Sequence, residues 1–333
     1  RIYHWKWMGK LFALFGVLAG ALGIGTITQI NGITSAAQNF FDPDKAHVVF
    51  TLAAGTSSET PITMTTIVVG LIVTVCAGLV IIGGIKRIAK VSEVVVPFMA
   101  VAYVLFAVIL LLTNLSAVPH AIYQIVYGAF HPEAVAGGIV GVCFKVALQK
   151  GVARGIFSNE AGLGTTPMAH AAATAKSPLQ EASLGMLDVF IDTIVVCSMT
   201  GFTILVTGMW DQGADKAGLL THMAFENVFP HVGSLVVTCA LTLFAFTTIL
   251  GWAVYGERCC IYLFGEWSVK FFRILFCLVA AAGSVMTLNT VWLISDTANA
   301  LMAFPNLIGI LLLSPKIVQI IREEIQKDPG FRF

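Results

Sequence analysis

Long stretches without a single charged residue are the feature that most constrains what this chain can fold into. Aspartate, glutamate, lysine and arginine are absent from residues 11–41, 60–85, 94–132, 161–175, 193–210, 227–256 and 274–295. A membrane-spanning helix needs roughly 20 mostly apolar residues, and most of these stretches reach that length. Charged residues make up 11% of the chain, against about 25% in soluble domains, which predicts an all-α polytopic membrane protein in a lipid bilayer. This composition excludes a soluble enzyme, and the net charge of +1 argues against a nucleic-acid partner.

The apolar stretches predict about eight spans, of which the fourth is interrupted. They cover residues 11–36, 61–84, 94–115, 134–173, 183–208, 232–255, 271–287 and 289–314. The last stretch contains Pro305 and is predicted to be one kinked helix or two shorter ones. Between spans, segments 116–130 and 213–229 are predicted to be amphipathic connectors or, alternatively, a gate or lid.

The distribution of basic residues predicts the orientation of the chain. Lysine and arginine cluster on one side of the predicted membrane, and only Lys45 and Lys216 fall on the other. Cytoplasmic loops carry an excess of these residues. We therefore expect a multi-pass protein of the cell membrane with both ends of this chain in the cytoplasm.

The interruption of the fourth span is the segment KGVARGIFSNEAGLGTTPMAHA, residues 150–171. Its glycines disfavour a continuous helix, and Ser158, Asn159 and Glu160 place polar groups among them. Broken backbone is tolerated in a membrane only where protein or water satisfies its N–H and C=O groups. A half-helix that ends there offers carbonyls to a cation, and one that starts there offers N–H groups to a carboxylate. We predict that Ser158 or Asn159 caps the second half-helix, and that the break is a binding site or, alternatively, a re-entrant turn without a ligand.

The predicted fifth span carries two carboxylates on one helix face. Asp188 and Asp192 are four residues apart, and ionisable side chains inside a span are costly unless they line a pathway or pair internally. Both readings remain open from the sequence. In the second reading, the partners would be Lys145, Lys150 or Arg154.

Hydroxyl and indole groups in two other spans also have two readings. Thr247 and Thr248 precede Trp252 by about one helical turn. Such hydroxyls either bind a ligand or donate a hydrogen bond back to their own helix. Trp292 is either part of a site or an interfacial anchor.

Several blocks of this sequence are similar to one known family. GVARGIFSNEAGLGTTPMAHAAA at 151–173, followed by VFIDT at 189–193, resembles the alanine or glycine:cation symporter family, the sodium:alanine symporters. Further similar segments are GIGTITQINGI at 23–33, TTILGWAVYGERC at 247–259 and VWLISDTANALMAFPNLIGILLLS at 291–314. The resemblance implies the LeuT-like fold of two inverted five-helix repeats. It also implies uptake of alanine or glycine by alternating access, coupled to sodium or in some members to protons.

The same resemblance implies that the chain is truncated at its N-terminus. Family members begin with an extra helix and two core helices that have no counterpart here. Residues 1–333 are therefore expected to form a single transporter domain of core helices three to ten. By this correspondence the first span is the third core helix and the broken span is the sixth. The span with Thr247 is the eighth, and the last tract is the tenth.

The resemblance also assigns roles to individual residues. The substrate would be bound by Gly155, Phe157, Ser158, Asn159, Gln29 and Trp252, the cation by Thr247 and Thr248, and an external gate would contain Trp292 and Asp296. Phe157 and Trp252 would bound a pocket whose size fits alanine or glycine. No cofactor is expected, and no metal beyond the transported sodium ion.

Two other classes of function compete with coupled transport. An amino-acid-binding sensor or channel would act without regard to the sodium gradient. A membrane enzyme is disfavoured because the sequence has no His/Glu metal motif and no Ser/His arrangement, and its seven cysteines lack metal-ligand spacing.

Overall fold

The computed structural model describes residues 5–52, 60–130, 140–212 and 219–327, and these are helical apart from one short β pair and the connecting turns. The helices are α1 (Lys6–Leu22), α2 (Ile27–Phe41), α3 (Met64–Ile82), α4 (Gly84–Thr113), α5 (Val118–Phe130), α6 (Val140–Asn159), α7 (Thr165–His170), α8 (Pro178–Val189), α9 (Ser198–Val206), α10 (Leu220–Val228), α11 (Val232–Phe264), α12 (Ser268–Ser284) and α13 (Leu288–Lys327). A π-helical segment, Phe190–Cys197, joins α8 to α9. Short 3-10 turns at Leu115–Ala117 and Met209–Asp211 follow α4 and α9.

Six helical tracts in the described residues are long and apolar enough to cross a membrane. They cover residues 6–41, 64–82, 84–113, 178–206, 232–264 and 288–326. They coincide with six of the eight predicted spans and confirm a polytopic helical membrane protein. The predicted seventh span is α12, whose 17 residues fall just below a typical span, and the fourth is divided between α6 and α7. The predicted connectors contain α5 and α10, with residues 213–218 of the second outside the described part of the chain.

The first apolar tract is broken at residues 23–26, where a single span was predicted. Side chains supply hydrogen bonds there: the Thr26 hydroxyl donates to the Gly20 carbonyl at 2.6 Å, and Gln29 Nε2 donates to the Ile24 carbonyl at 3.0 Å. A tertiary contact accompanies the break. A Cβ added at Gly25 would sit 1.8 Å from Cγ of Trp252, so this indole lies directly on the broken backbone.

The last apolar tract forms one helix, α13, rather than two shorter ones. Pro305 and Pro315 lie inside it, and each removes one backbone donor from the helical ladder. Next to the first proline, Asn306 Nδ2 donates to the Gly162 carbonyl at 2.8 Å. The proline-containing part of α13 therefore contacts the turn between α6 and α7, which interrupts the predicted fourth span (hereafter the fourth tract).

A short antiparallel pair corrects the all-α prediction. β1 (Val48–Leu52) pairs with β2 (Thr60–Thr63), and Phe50 lies opposite Ile62. The β-branched and aromatic residues of β1 favour an extended backbone. At the end of β2 the Thr63 hydroxyl accepts a hydrogen bond from the Thr66 amide at 3.3 Å and so caps α3.

The core is formed mainly by α1, α2, α3, α11 and α12, with Ile88 of α4. Ile30, Ile249 and Phe276 are among its fully buried side chains. Small residues bring the helices close together: a Cβ added at Gly20 on α1 would sit 2.9 Å from Cα of Gly256 on α11. By contrast, 6% of the most apolar 18-residue segment of residues 178–206, the predicted fifth span (hereafter the fifth tract), is buried, against 61% in residues 6–41. The fifth tract thus lies at the periphery, where the broken fourth tract meets it.

His222 on α10, outside the six spans, gives the fold a pH-dependent contribution to stability. Its Nε2 lies 2.9 Å from Thr238 Oγ1 on α11, and burial lowers the pKa of the imidazole below its usual 6.5. The unfolded chain therefore binds a proton more readily than the folded one. This contribution is complete above about pH 6.5 and is lost as the pH falls through the folded-state pKa.

We therefore expect the unfolding temperature of the purified protein to fall between about pH 7.5 and 5.5 more steeply than that of His222→Gln. Thermal unfolding of both proteins across this range measures the difference. Equal pH slopes would show that His222 does not contribute in this way.

Candidate functional site

The interruption of the fourth tract is a tight turn between α6 and α7. Glu160, Gly162 and Gly164 have positive φ angles of 54°, 77° and 81°, and the two glycines adopt this backbone without steric cost. This confirms the predicted break. The predicted cap is wrong, because the N-cap of α7 is Gly164, which has no side chain.

Ser158 and Asn159 bond instead to the π-helical segment of the fifth tract. The Ser158 hydroxyl donates to Asp192 Oδ2 at 2.8 Å, and Asn159 Nδ2 donates to Thr193 Oγ1 at 2.8 Å. A π-helical turn widens the helix and often occurs at functional sites. The end of α6 is thus joined by side-chain hydrogen bonds to the π-helical turn.

Arg154, one turn before the end of α6, pairs with the last tract rather than with the fifth. Its Nη2 lies 2.8 Å from Asp296 Oδ1 and 2.9 Å from Oδ2, so the predicted alternative of pairing with Asp188 or Asp192 is wrong for this arginine. The guanidinium carbon lies 3.8 Å from the ring centroid of Trp292, a cation–π contact. The Trp292 and Phe157 rings are 5.0 Å apart. An ion pair, a cation–π contact and a tilted contact between two aromatic rings therefore connect α6 to α13.

Trp252 connects α11 to both breaks. It is 1% exposed and packs in a cluster with Ile24 of the first break and Leu163 of the second, against which Phe157 also packs. Its Nε1 donates to Glu160 Oε1 at 2.7 Å. The two aromatic residues predicted to bound the pocket are thus brought together, within a packed cluster.

A cleft of about 950 Å³ opens beside the turn. Residues 159–164, α7, the fifth tract and α13 form its walls, with Asn159, Glu160, Thr193 and Asn306 among the polar lining. Pockets for small ligands measure roughly 300–1,000 Å³, so an amino acid and its water fit in this space. The cleft brings backbone groups of the break within reach of a ligand.

The sequence profile of the sodium:alanine symporter family matches residues 2–328, nearly the whole chain. The chain belongs to this family. Because the family consists of transporters, the chain is not an enzyme, and the resemblance carried by the 151–173 block is confirmed.

Individual relatives agree with this assignment. AgcS, a sodium/alanine symporter of Methanococcus maripaludis, is 39% identical over 97% of this chain and 66% of its own length. An uncharacterized transporter of Haemophilus influenzae is 43% identical over 97% and 66%. The sodium/proton-dependent alanine carrier protein of Bacillus sp. PS3 is 33% identical over 80% and 64%. The chain thus spans slightly less than two thirds of the length of these relatives.

Other predicted residues of this sodium:alanine symporter family member lie apart from the cleft. Thr247 and Thr248 donate to the Phe244 carbonyl of their own helix at 3.0 and 2.9 Å. Gly155 has open space where a Cβ would stand, and Gln29 bonds within the first break. The threonine hydroxyls keep lone pairs for a cation, because a donated hydrogen bond uses only the proton.

The sequence assigned no role to Glu160 or Asn306, and it gave Arg154 only as a possible partner of Asp188 or Asp192. Glu160 bonds to Trp252, Arg154 to Asp296, and Asn306 to the Gly162 carbonyl. The signal for Glu160 was its position in the middle of an apolar tract, between two glycine-rich segments. The partners of Arg154 and Asn306 lie far along the chain, where sequence spacing gives no guidance.

Proposed function

We propose that the full-length protein is a sodium-coupled symporter that imports alanine or glycine by alternating access. Its substrate would bind at the turn between α6 and α7, and its cation would be held by carbonyls of that turn or by Thr247 and Thr248 on α11. The observation that carries this proposal is that turn, open to a cleft of about 950 Å³, in a member of the sodium:alanine symporter family. Backbone carbonyls at the end of α6 suit a cation, and N–H groups of the turn itself suit a carboxylate.

The proposed arrangement is the LeuT-like inverted repeat, with the chain supplying core helices three to ten. The cleft adjoins α7 and α8, next to Lys176, on the side that the basic residues predict to be cytoplasmic. With both ends of the chain in the cytoplasm, this would be an inward-facing arrangement. Alternating access would then move α6 and α7 against the core helices.

The proposed substrate site includes Gly155, Phe157, Ser158 and Asn159, with Gln29 and Trp252 from the core. Support for Asn159 is its place on the cleft wall, and support for Phe157 is its packing against the cluster of Trp252. A small amino acid would place its polar groups at the turn and its side chain toward these rings. The two aromatic residues would exclude larger side chains.

The proposed external gate contains Trp292 and Asp296, and Arg154 is its third member. The Arg154–Asp296 pair and the ring contacts join α6 to α13. The helix α6, which is proposed to move, is thus held to α13 by contacts that can open and re-form. Opening them would release α6.

Proton coupling is a second candidate, favoured by the similarity to the sodium/proton-dependent alanine carrier protein of Bacillus sp. PS3. It differs from sodium-coupled symport only in the ion that drives uptake. Uptake driven by a pH gradient at equal sodium on both sides of the membrane would support it.

The cation role of Thr248 is tested by removing its hydroxyl. In Thr248→Ala we expect the sodium concentration for half-maximal alanine uptake to rise by about tenfold, since one cation ligand is lost. Thr248→Ser keeps the hydroxyl and is expected to match the wild type. Asn159→Ala is expected to raise KM for alanine by about tenfold while leaving the sodium dependence nearly unchanged.

Thr207→Ala is the matched control, because the Thr207 hydroxyl also donates to its own helix, at 2.8 Å to the Thr203 carbonyl. It lies at the end of the fifth tract and should leave sodium dependence unchanged. Unchanged sodium dependence in Thr248→Ala, at normal expression, would remove Thr248 from the cation site.

A further inference from the structure

The contact between Glu160 and Trp252 joins the open side of the site to its buried wall. Glu160 lines the cleft, whereas Trp252 is almost completely buried behind it. The hydrogen bond from Trp252 Nε1 to Glu160 Oε1 is 2.7 Å long. An indole N–H can only donate, so this carboxylate oxygen is the group that satisfies it.

The indole has little freedom to leave this position without losing the bond. One side of it lies on Gly25, where an added Cβ would stand 1.8 Å from Cγ. Its ring also meets Tyr255 edge-on, with centroids 5.6 Å apart. Packing therefore determines the plane of the ring, and Glu160 determines which way its N–H points.

Among the described residues, Glu160 forms no ion pair, although Arg154, His170 and Arg273 each pair with another carboxylate. A carboxylate in an apolar tract without a cationic partner is costly and usually has a function. Its backbone φ of 54° is also unfavourable for a residue with a side chain. Both costs are explained if the position must carry a hydrogen-bond acceptor directed at Trp252.

We propose that Glu160 is a specificity-determining positioning residue, which holds the indole of Trp252 as the wall that limits substrate size. This proposal rests on the proposed function, since it assumes that small amino acids bind beside Phe157 and Trp252. It predicts that the acceptor oxygen of residue 160, rather than its negative charge, determines the discrimination between small and large amino acids.

The test compares Glu160→Met, which keeps the length of the side chain but lacks an acceptor, with Glu160→Gln, which keeps one. We measure KM and maximal uptake of labelled alanine and leucine in cells that express the full-length protein. In Glu160→Met the preference for alanine over leucine should fall about tenfold or more, mainly through KM, because a pocket that limits size by packing discriminates by about this factor. In Glu160→Gln it should stay within about threefold of the wild type.

A second background separates positioning from general stability. In Trp252→Phe the N–H is already absent, so adding Glu160→Met should change the preference by less than about twofold. If Glu160→Met does not reach the membrane, Glu160→Ala replaces it, with the same expected loss of preference for alanine over leucine.

Each outcome has one meaning. No uptake of alanine or glycine by the wild type would overturn the proposed function itself. Normal wild-type uptake with an unchanged preference in Glu160→Met would overturn only the role of Glu160. An equal loss of preference in Glu160→Gln would also overturn the role of Glu160. Failure of both acceptor-free variants to fold would likewise overturn it and would make Glu160 a structural residue.

Discussion

Gly25→Ala is expected to abolish uptake and to reduce the amount of folded protein in the membrane. The added Cβ would stand 1.8 Å from Cγ of Trp252 and 2.2 Å from its Cβ, so either the indole or the first break must move. Overpacking of this kind destabilises a fold by about 3 kcal/mol. The displaced indole would also lose its hydrogen bond to Glu160, because that bond requires the present ring position. Expression, thermal unfolding and alanine uptake measure the effect.

Gly32→Ala is the matched control in the same tract. No atom lies within 4 Å of a Cβ added at Gly32, and alanine favours a helix over glycine by about 1 kcal/mol. We therefore expect uptake and stability at or above the wild-type level. If Gly25→Ala behaves like Gly32→Ala, the packing of Trp252 on the first break is incorrect.

Removing either member of the Arg154–Asp296 pair is expected to reduce maximal uptake by about tenfold or more. Arg154→Gln leaves a carboxylate without a partner inside the last tract, and Asp296→Asn leaves a guanidinium beside Trp292. A hydrogen bond to a charged group contributes about 1.5–3 kcal/mol, so loss of one partner changes the balance between conformations by this order. The loss should appear in the maximal rate, because neither side chain lines the cleft beside the turn.

The double variant Arg154→Gln with Asp296→Asn tests whether the two single losses arise from breaking the same ion pair or from two independent effects. Because no unpaired charge remains, it should transport better than the product of the two single losses, with a coupling energy of about 1–2 kcal/mol. Arg258→Ala, which removes an exposed arginine of α11, controls for the loss of positive charge and should transport normally. Additive losses in the double variant would show that the ion pair has no role in transport.

The break at residues 160–164 was predictable from the sequence, whereas the break at 23–26 was not. Glycines with polar residues between them mark the break at 160–164 in the local sequence. Its backbone adopts positive φ at Gly162 and Gly164. In the first tract the apolar pattern runs through residues 23–26 with little interruption. The break there accompanies the indole of Trp252, a contact between residues far apart in sequence.

The sequence also could not identify which residues bind to one another across different helices. The sequence left open that Arg154 pairs with Asp188 or Asp192, and only the packing of α6 against α13 places it at Asp296. Likewise Thr247 and Thr248 were recognised as two neighbouring hydroxyls. Their hydrogen bonds to the Phe244 carbonyl follow from helix geometry, whereas a cation role depends on groups beyond their helix.

Sodium-driven accumulation of alanine by the full-length protein tests the account most directly. Purified protein in liposomes is given labelled alanine with an inward sodium gradient, with equal sodium, or with a pH gradient at equal sodium. We predict that internal alanine rises above the external concentration only under the sodium gradient, and that Asn159→Ala lowers this accumulation at low alanine concentrations. Alanine that merely equilibrates, at a rate indifferent to sodium and pH gradients, would contradict a coupled symporter and indicate a channel.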